Sequence, residues 1–577
     1  MPDTLVYSPN AYRNDYNDDY QSRSLWVNYL MAEPFPEDGS TQEKGLGIPL
    51  DLSLAFHTDA GVTPGDSVIG TLAIYSTASD NGVFPDGTSR LASRDLSDII
   101  QSQIVDDIRR IYNPEWTRRG LWDRPYYEAR KPDVPAMLLE LLSHQNLADL
   151  KYGLDPEFRF DVSRAVYKGI LKYLAYTEGR DYVVQPLPVT DFAIMPLSGK
   201  TIRLSWKPAN DESEPGSQPD RYVVYMRTGE NGFDNGTLTE KTFYEFEIDS
   251  LNTVYGFKVT AVNDGGESFD SEILSVGINE KSTSTVLIVN GFDRVSGPAW
   301  FDNGSQAGIA WWKDRGVAYH HDFITIGDQH DFNRKNPWLD DDSPGWGASY
   351  SDIAGTVTAG NTFDYPYLHG KAVMEAGYSF CSVSGVYFCS QDRSFSDFKI
   401  VDLIFGEQKS TSFFGDTSRM RFSIYTPEFM NRIREITASG TSLFMSGSYV
   451  GSDLLTYNDS TAIRFAGEYL HFMPRTGHAA MTGDSYATDY AKPYFSGSFR
   501  FNTDLSRSIY QVEAPDAIEP HGKGSVCAFR YGETNSSAGV IYEGEYNSVV
   551  LGFPFETIIS GEERASLMKQ ILKFLEK

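Results

Sequence analysis

Two residues in the first third of the chain stand where side chains do chemistry: His57 and Glu140. His57 ends the apolar stretch in LAFHTDAG, which reads as a buried strand. A side chain there emerges at the carboxyl edge of a parallel sheet, where α/β proteins place their sites. Glu140 interrupts the apolar run VPAMLLELL. A charge inside such a run is costly unless it is paired, metal-linked or turned to a cleft. A neutral imidazole beside a carboxylate suits zinc ligation with general base catalysis. The plain alternative stays open, because a single histidine at a strand end is commonly a hydrogen-bonded structural residue.

Other groupings are looser. HHDFITIGDQHD brings His320, His321, Asp328, His330 and Asp331 together in sequence, a metal-like composition with no fixed geometry. FMSGSYVGSD offers Ser446 or Ser448 at an expected strand–helix turn, with Asp453, His471 and His478 nearby in sequence only. A serine nucleophile needs a base and an orienting acid of that kind. Cys381, Cys389 and Cys527 contain no CxxC pair, which excludes a thiolate zinc cage. A Cys381–Cys389 bridge and three free thiols are both open readings.

The elements that must position these residues fall into three regions. Over 1–180, short strands at 5–8, 51–56 and 67–76 alternate with helical patterns at 13–31, 90–112 and 156–176. That alternation predicts an α/β domain with a mostly parallel sheet. From 187 to 280 the period changes to two, in TIRLSW, RYVVYMR, TFYEFEI and VYGFKVTAVN, separated by turn clusters. This predicts a β-sandwich. From 283 to 577 α/β patterning returns, with strands at 283–292, 398–406, 441–447 and 548–558 and helices at 426–438 and 561–576.

The chain has 577 residues, of which 14% are aromatic, enough to fill several cores. Its net charge of -29 repels phosphate backbones and anionic lipid, which argues against nucleic acid and membrane-surface partners. No run of 18 apolar residues is present, so no membrane span is expected. MPDTLVYSPN has neither a basic nor an apolar signal region.

The first region resembles the zinc-dependent N-acetylmuramoyl-L-alanine amidases, which cleave peptidoglycan. DLSLAFHTDAG stands where that family has a strand ending in its zinc histidine, and VPAMLLELLSHQN where it has the motif of its catalytic glutamate. GTLAIYS, the long helix at 90–112 and RAVYKGILKYL follow the family's order, so the resemblance covers about 5–176. It implies a zinc ligand at His57, a catalytic Glu140 and a motif asparagine at Asn146. His144 would border the cleft or lie on the surface. Arg118, Arg119 and Arg124 would meet stem-peptide carboxylates or stand as solvated loop charges. The family's first histidine and its glutamate ligand have no counterpart: only His57 and His144 precede His320, and no glutamate precedes Glu33. Either the first strand and ligands lie upstream, which is the preferred reading, or the scaffold is degenerate.

The second region resembles a fibronectin type III domain, through Trp206, Tyr222, Tyr225, Tyr255 and Asn263. The third resembles, at fold level, the flavodoxin-like fold of class I glutamine amidotransferase-like domains, through VLIVNGFDR. The loop at 336–352, rich in aromatics and acids, suits glycan or calcium binding, or is ordinary surface. These resemblances imply an exported cell-wall amidase-like protein, zinc-dependent in its full-length parent and impaired in this chain. Three functions stay open: that amidase, a non-catalytic binder of envelope glycan on the same scaffold, and a hydrolase centred on the third region.

Overall fold

Asp155, Pro156 and Gly179 delimit the longest helix, α5 (Pro156–Glu178), as their chemistry dictates. The Asp155 carboxylate accepts from the amides of Glu157 and Phe158, Pro156 fills the first turn, and Gly179 closes the helix at φ 65°. The elements before it are α1 (Asp15–Met31), β1 (Ser53–Asp59), β2 (Thr71–Tyr75), α2 (Leu91–Ile111), β3 (Arg118–Asp123), α3 (Tyr127–Arg130), β4 (Ala136–Ser143) and α4 (Leu147–Gly153). This computed structural model describes residues 3–34, 45–61, 63, 67–324, 330–333, 348–349, 353–456 and 459–577. They divide into two units. The first is Met1–Tyr182 with Trp300–Ile309 and His330–Ser349; the second is Val183–Ala299, Ala310–Gln329 and Tyr350–Lys577. Among the described residues no helix is long and apolar enough to cross a membrane.

In the first unit the strand order is β1-β4-β2-β3. β1 runs parallel to β4 and β2 parallel to β3, but β2 is antiparallel to β4. The sheet is therefore mixed, since apolar patterning reports burial and not direction. Residues 5–8 form turns in place of the expected strand. Local bonds such as Ala11 N to Ser8 O, 3.0 Å, satisfy the backbone there without a ladder. β1 is an edge strand rather than a buried one, with Phe56 54% exposed.

α2 lies against β2, β3 and β4, and α5 packs on α2, the two helices approaching each other closely at one point. A Cβ on Gly169 would lie 2.9 Å from the Cα of Ile100, so only glycine fits. Gly169→Ala should destabilise the first unit by about 1–3 kcal/mol through overpacking. Urea melts followed by far-UV circular dichroism test this, and an unchanged midpoint would refute the close contact.

The second unit begins with a sandwich of eight strands: β5 (Thr190–Ser198), β6 (Thr201–Lys207), β7 (Arg221–Thr228), β8 (Thr237–Thr239), β9 (Phe243–Glu247), β10 (Val254–Asn263), β11 (Gly266–Glu267) and β12 (Leu274–Gly277). Trp206 packs edge-on against Phe192 and Tyr222, with ring centroids 6.5 and 5.5 Å away. An α/β part follows: β13 (Thr285–Asn290), α6 (Tyr365–Glu375), β14 (Ser379–Ser384), α7 (Gly385–Cys389), β15 (Ile400–Gly406), α8 (Pro427–Ala438), β16 (Ser442–Gly447), β17 (Ser525–Tyr531), β18 (Ser537–Glu543), β19 (Asn547–Leu551) and α9 (Gly561–Leu575). The late strand stops at Leu551 and a short turn at Phe555–Thr557 follows Pro554, which cannot donate to a ladder.

The parallel strands lie in the order β14-β13-β15-β16-β19, with β18 and β17 added antiparallel. The sandwich joins this sheet by the pairings Ala193–Val383 and Gly277–Phe380. One hydrophobic cluster holds Trp206 and Val259 of the sandwich together with Val289 and Leu403 of the α/β part.

A charged group is sealed in the α/β core. His369 on α6 is fully buried, its Nδ1 2.8 Å from Asp402 Oδ2 and its Nε2 3.3 Å from Glu556 Oε2. Tyr510 donates its hydroxyl to Glu556 Oε1 at 2.7 Å. Burial alone disfavours the imidazolium, but the two carboxylates outweigh it and push His369 up to about 9.

Candidate functional site

β1 and β4 set His57 and Glu140 directly beside each other, as register partners on parallel strands. Side chains at paired positions share a sheet face, so the imidazole and carboxyl are neighbours. Glu140 Oε2 is buried with no hydrogen-bond partner among the described residues, and burial raises its carboxyl above the usual range.

The closest partner of His57 is a residue that periodicity gave no reason to single out. Glu128, on the four-residue helix α3, places Oε2 3.0 Å from His57 Nε2. Its other oxygen accepts from Arg23 Nη1 at 3.2 Å, and Arg23 is also paired with Asp19 one turn earlier on α1. The hydrogen bond to Glu128 raises the His57 imidazole above its ordinary value, against the effect of burial. Burial by itself would raise Glu128, but the bond from His57, with Arg23 adding to it, leaves it below the usual carboxylate range. Arg23, His57 and Glu128 line a cavity of about 530 Å³ together with Ser24, Val27 and Phe56.

These donors do not fit a catalytic zinc centre, which needs three protein ligands. His57 Nε2 is bonded to Glu128, and Glu128 to Arg23. Among the described residues no group of three His, Cys, Asp or Glu side chains is placed to hold a metal ion.

The remaining candidates are dispersed. His144 is exposed, with Nδ1 3.1 Å from Thr58 Oγ1. Asn146 is fully buried and donates to Ser67 O at 2.8 Å, pinning the loop before α4. Arg118 pairs with Asp98 at 2.6 Å and Arg119 with Asp59, while Arg124 is exposed. In the second unit the hydroxyls of Ser446 and Ser448 are buried without partners among the described residues. Asp453 instead accepts from Ser410, and His471 Nε2 meets Tyr546 Oη at 3.1 Å, so these groups form no triad with either serine. Burial pushes His471 down to about 4, which leaves it neutral.

His320 stacks edge-on with Tyr319, and His321 meets the carbonyl of Arg507 at 2.9 Å. Asp328 and most of the loop at 336–352 lie outside the described residues, as do the side chains of His330 and Asp331. Cys381, Cys389 and Cys527 are free thiols. Burial raises Cys381 and pushes Cys389 up to about 11, so neither is a thiolate near neutrality.

No curated protein matches the chain. Among solved structures, an N-acetylmuramoyl-L-alanine amidase from Clostridium difficile 630 is 18% identical, with a TM-score of 0.18; the match covers 22% of this chain and 57% of that one. The CwlD amidase from Clostridioides difficile, solved in complex with the GerS lipoprotein, is 18% identical with a TM-score of 0.20, over 29% of this chain and 66% of that one. The FN5 domain of Drosophila Lar is also 18% identical with a TM-score of 0.13, over 16% of this chain and 96% of that domain. Residues 187–277 match the family model of the fibronectin type III domain, so the sandwich of the second unit is a domain of that family.

Proposed function

We propose that this chain is an exported cell-envelope protein whose first unit binds peptidoglycan on an amidase-like scaffold without cleaving it. The observation that carries this reading is the His57–Glu128–Arg23 chain of contacts, which engages Nε2 of the histidine that the resemblance assigns to zinc. The cavity offers Arg23 and His57 to the carboxylates and amides of a stem peptide, with Phe56 and Val27 as apolar walls. The buried, unpartnered Oε2 of Glu140, the register partner of His57, favours a second reading, amide hydrolysis beside this cavity with Glu140 as the proton carrier. The strand order of the α/β part supports a flavodoxin-like reading of that region, because the order 2-1-3-4-5 is that of flavodoxin-type sheets. The protonated thiols of Cys381 and Cys389 and the dispersed serine partners favour a non-catalytic role there.

Cosedimentation with purified peptidoglycan tests the proposal. The chain should bind, release no stem peptide, and be indifferent to chelator; Arg23→Ala should weaken binding about tenfold. EDTA-sensitive release of stem peptides would establish the amidase instead. A nuclear magnetic resonance titration checks the contact itself. Glu128→Gln should return the raised His57 imidazole toward its ordinary value of 6.5, and an unchanged titration would remove the basis of this reading.

A further inference from the structure

We propose that a second cavity, in the fibronectin-containing unit, binds a carboxylated saccharide of the uronic acid type. This cavity, of about 420 Å³, lies where Met195 and Trp206 of the sandwich meet Tyr387 and Arg393 of the α/β part. It is independent of the peptidoglycan reading, which concerns the other unit.

Charge is the first argument. In a chain of net charge -29, three cations line this cavity, Arg203, Lys207 and Arg393, against one acid, Asp191. Asp191 is only 4% exposed and adopts φ 57° at a register shift in β5, so a bulge turns it inward from the regular ladder. It holds Lys207 Nζ at 2.8 Å and lies 3.7 Å from Arg393 Nη2. Arg203 is paired with Glu245, whose Oε1 accepts from its Nε at 3.1 Å and also from its Nη2.

Aromatic rings orient the two guanidinium groups. Arg393 lies 4.4 Å over the ring of Tyr387 and Arg203 5.0 Å over that of Phe243. A guanidinium stacked in this way turns its in-plane N–H groups toward carboxylates, so a ligand carboxylate would share Arg203 with Glu245. The segment that carries Arg393 is itself fixed, because the buried Arg432 donates to the carbonyls of Phe388, Ser390 and Arg393.

Unmet hydrogen-bonding capacity is the second, separate argument. Trp206 is 3% exposed, and its Nε1–H has no partner among the described residues although the residue lines the cavity. A buried indole N–H ordinarily finds an acceptor. Arg393 Nε likewise has no hydrogen-bond partner among the described residues, its nearest carboxylate, Asp392, lying 3.7 Å away. A sugar acid matches this lining. Its carboxylate meets the cations, its ring and hydroxyl oxygens meet Trp206, Ser205 and Thr242, and its C–H face meets Met195.

Isothermal titration of the full chain with sodium trigalacturonate at low ionic strength tests the assignment. Saturable binding at one site is expected, weakened by added salt. Arg393→Gln and Arg203→Gln should each reduce affinity about tenfold or more. Arg203 is exposed, so its variant remains informative even if Arg393→Gln disturbs folding. Arg475→Gln, outside the cavity, should bind as the unaltered chain does. Maltotriose, lacking the carboxylates, and triglutamate, lacking the sugar ring, should bind far more weakly. Absence of saturable binding, affinity unchanged in both variants, or equal affinity for maltotriose or triglutamate would each overturn the proposal.

Discussion

Replacing His369 by leucine should lower the stability of the second unit by about 3–5 kcal/mol, because it strands two carboxylates in the core. Asp402 and Glu556 are both buried, and each takes one nitrogen of the His369 ring. Leucine fills the space but offers neither carboxylate a proton or a charge. The pH dependence has a definite sign. His369 is raised from 6.5 to about 9, so its contribution is complete below pH 6.5 and is lost as the pH rises through about 9. Over that window the folded state loses about 3 kcal/mol of ionic stabilisation from this one group, since each tenfold gain in proton affinity is worth about 1.4 kcal/mol. Urea melts followed by near-ultraviolet circular dichroism at pH 6 and pH 9.5 would read both effects. The two proteins should differ strongly at the lower pH and much less at the higher. A gap of constant size would mean that His369 packs as a neutral ring.

Arg432→Met should cost about 3–5 kcal/mol as well, by a different route. Arg432 on α8 is 1% exposed, and its guanidinium donates to three carbonyls, those of Phe388 and Arg393 at 2.9 Å each and that of Ser390. It also pairs with Glu435 and lies 5.1 Å over the ring of Phe395. Methionine keeps the apolar stem and removes every donor. Lysine restores the charge but not the planar fork, so Arg432→Lys should recover only a minority of the loss. Hydrogen exchange across 386–396 should accelerate in both variants. A lysine variant as stable as the parent would show that charge, not the fork, holds this loop.

The sequence made elements legible where one period dominated. The isoleucine spacing of α2 and the alternation of TIRLSW and RYVVYMR name a helix and two strands without tertiary help. His57 and Glu140 were also legible, since each marks a break in an apolar strand, and their strands pair in register. Glu128 and Arg23 were not. They reach the site across separations of 71 and 105 residues, from a four-residue helix and from a helix whose apolar pattern is weak. Asp402 did leave a signal, a charge inside the uniformly buried strand IVDLIFG. The cost argument that singled out Glu140 applies equally to it and leads to His369. The union of the sandwich with the α/β sheet combines two isolated residue pairings with a shared apolar core, neither of which a local pattern encodes.

That union has a mechanical consequence. A fibronectin module strung on linkers yields to tension by itself, like one bead of a chain. Here a pull entering at β5 is delivered sideways into β14 through Ala193 and Val383, and a pull leaving β12 passes through Gly277 and Phe380. With one apolar core behind both contacts, the module acts as a rigid lever welded to the α/β sheet, and the second unit should rupture in a single step.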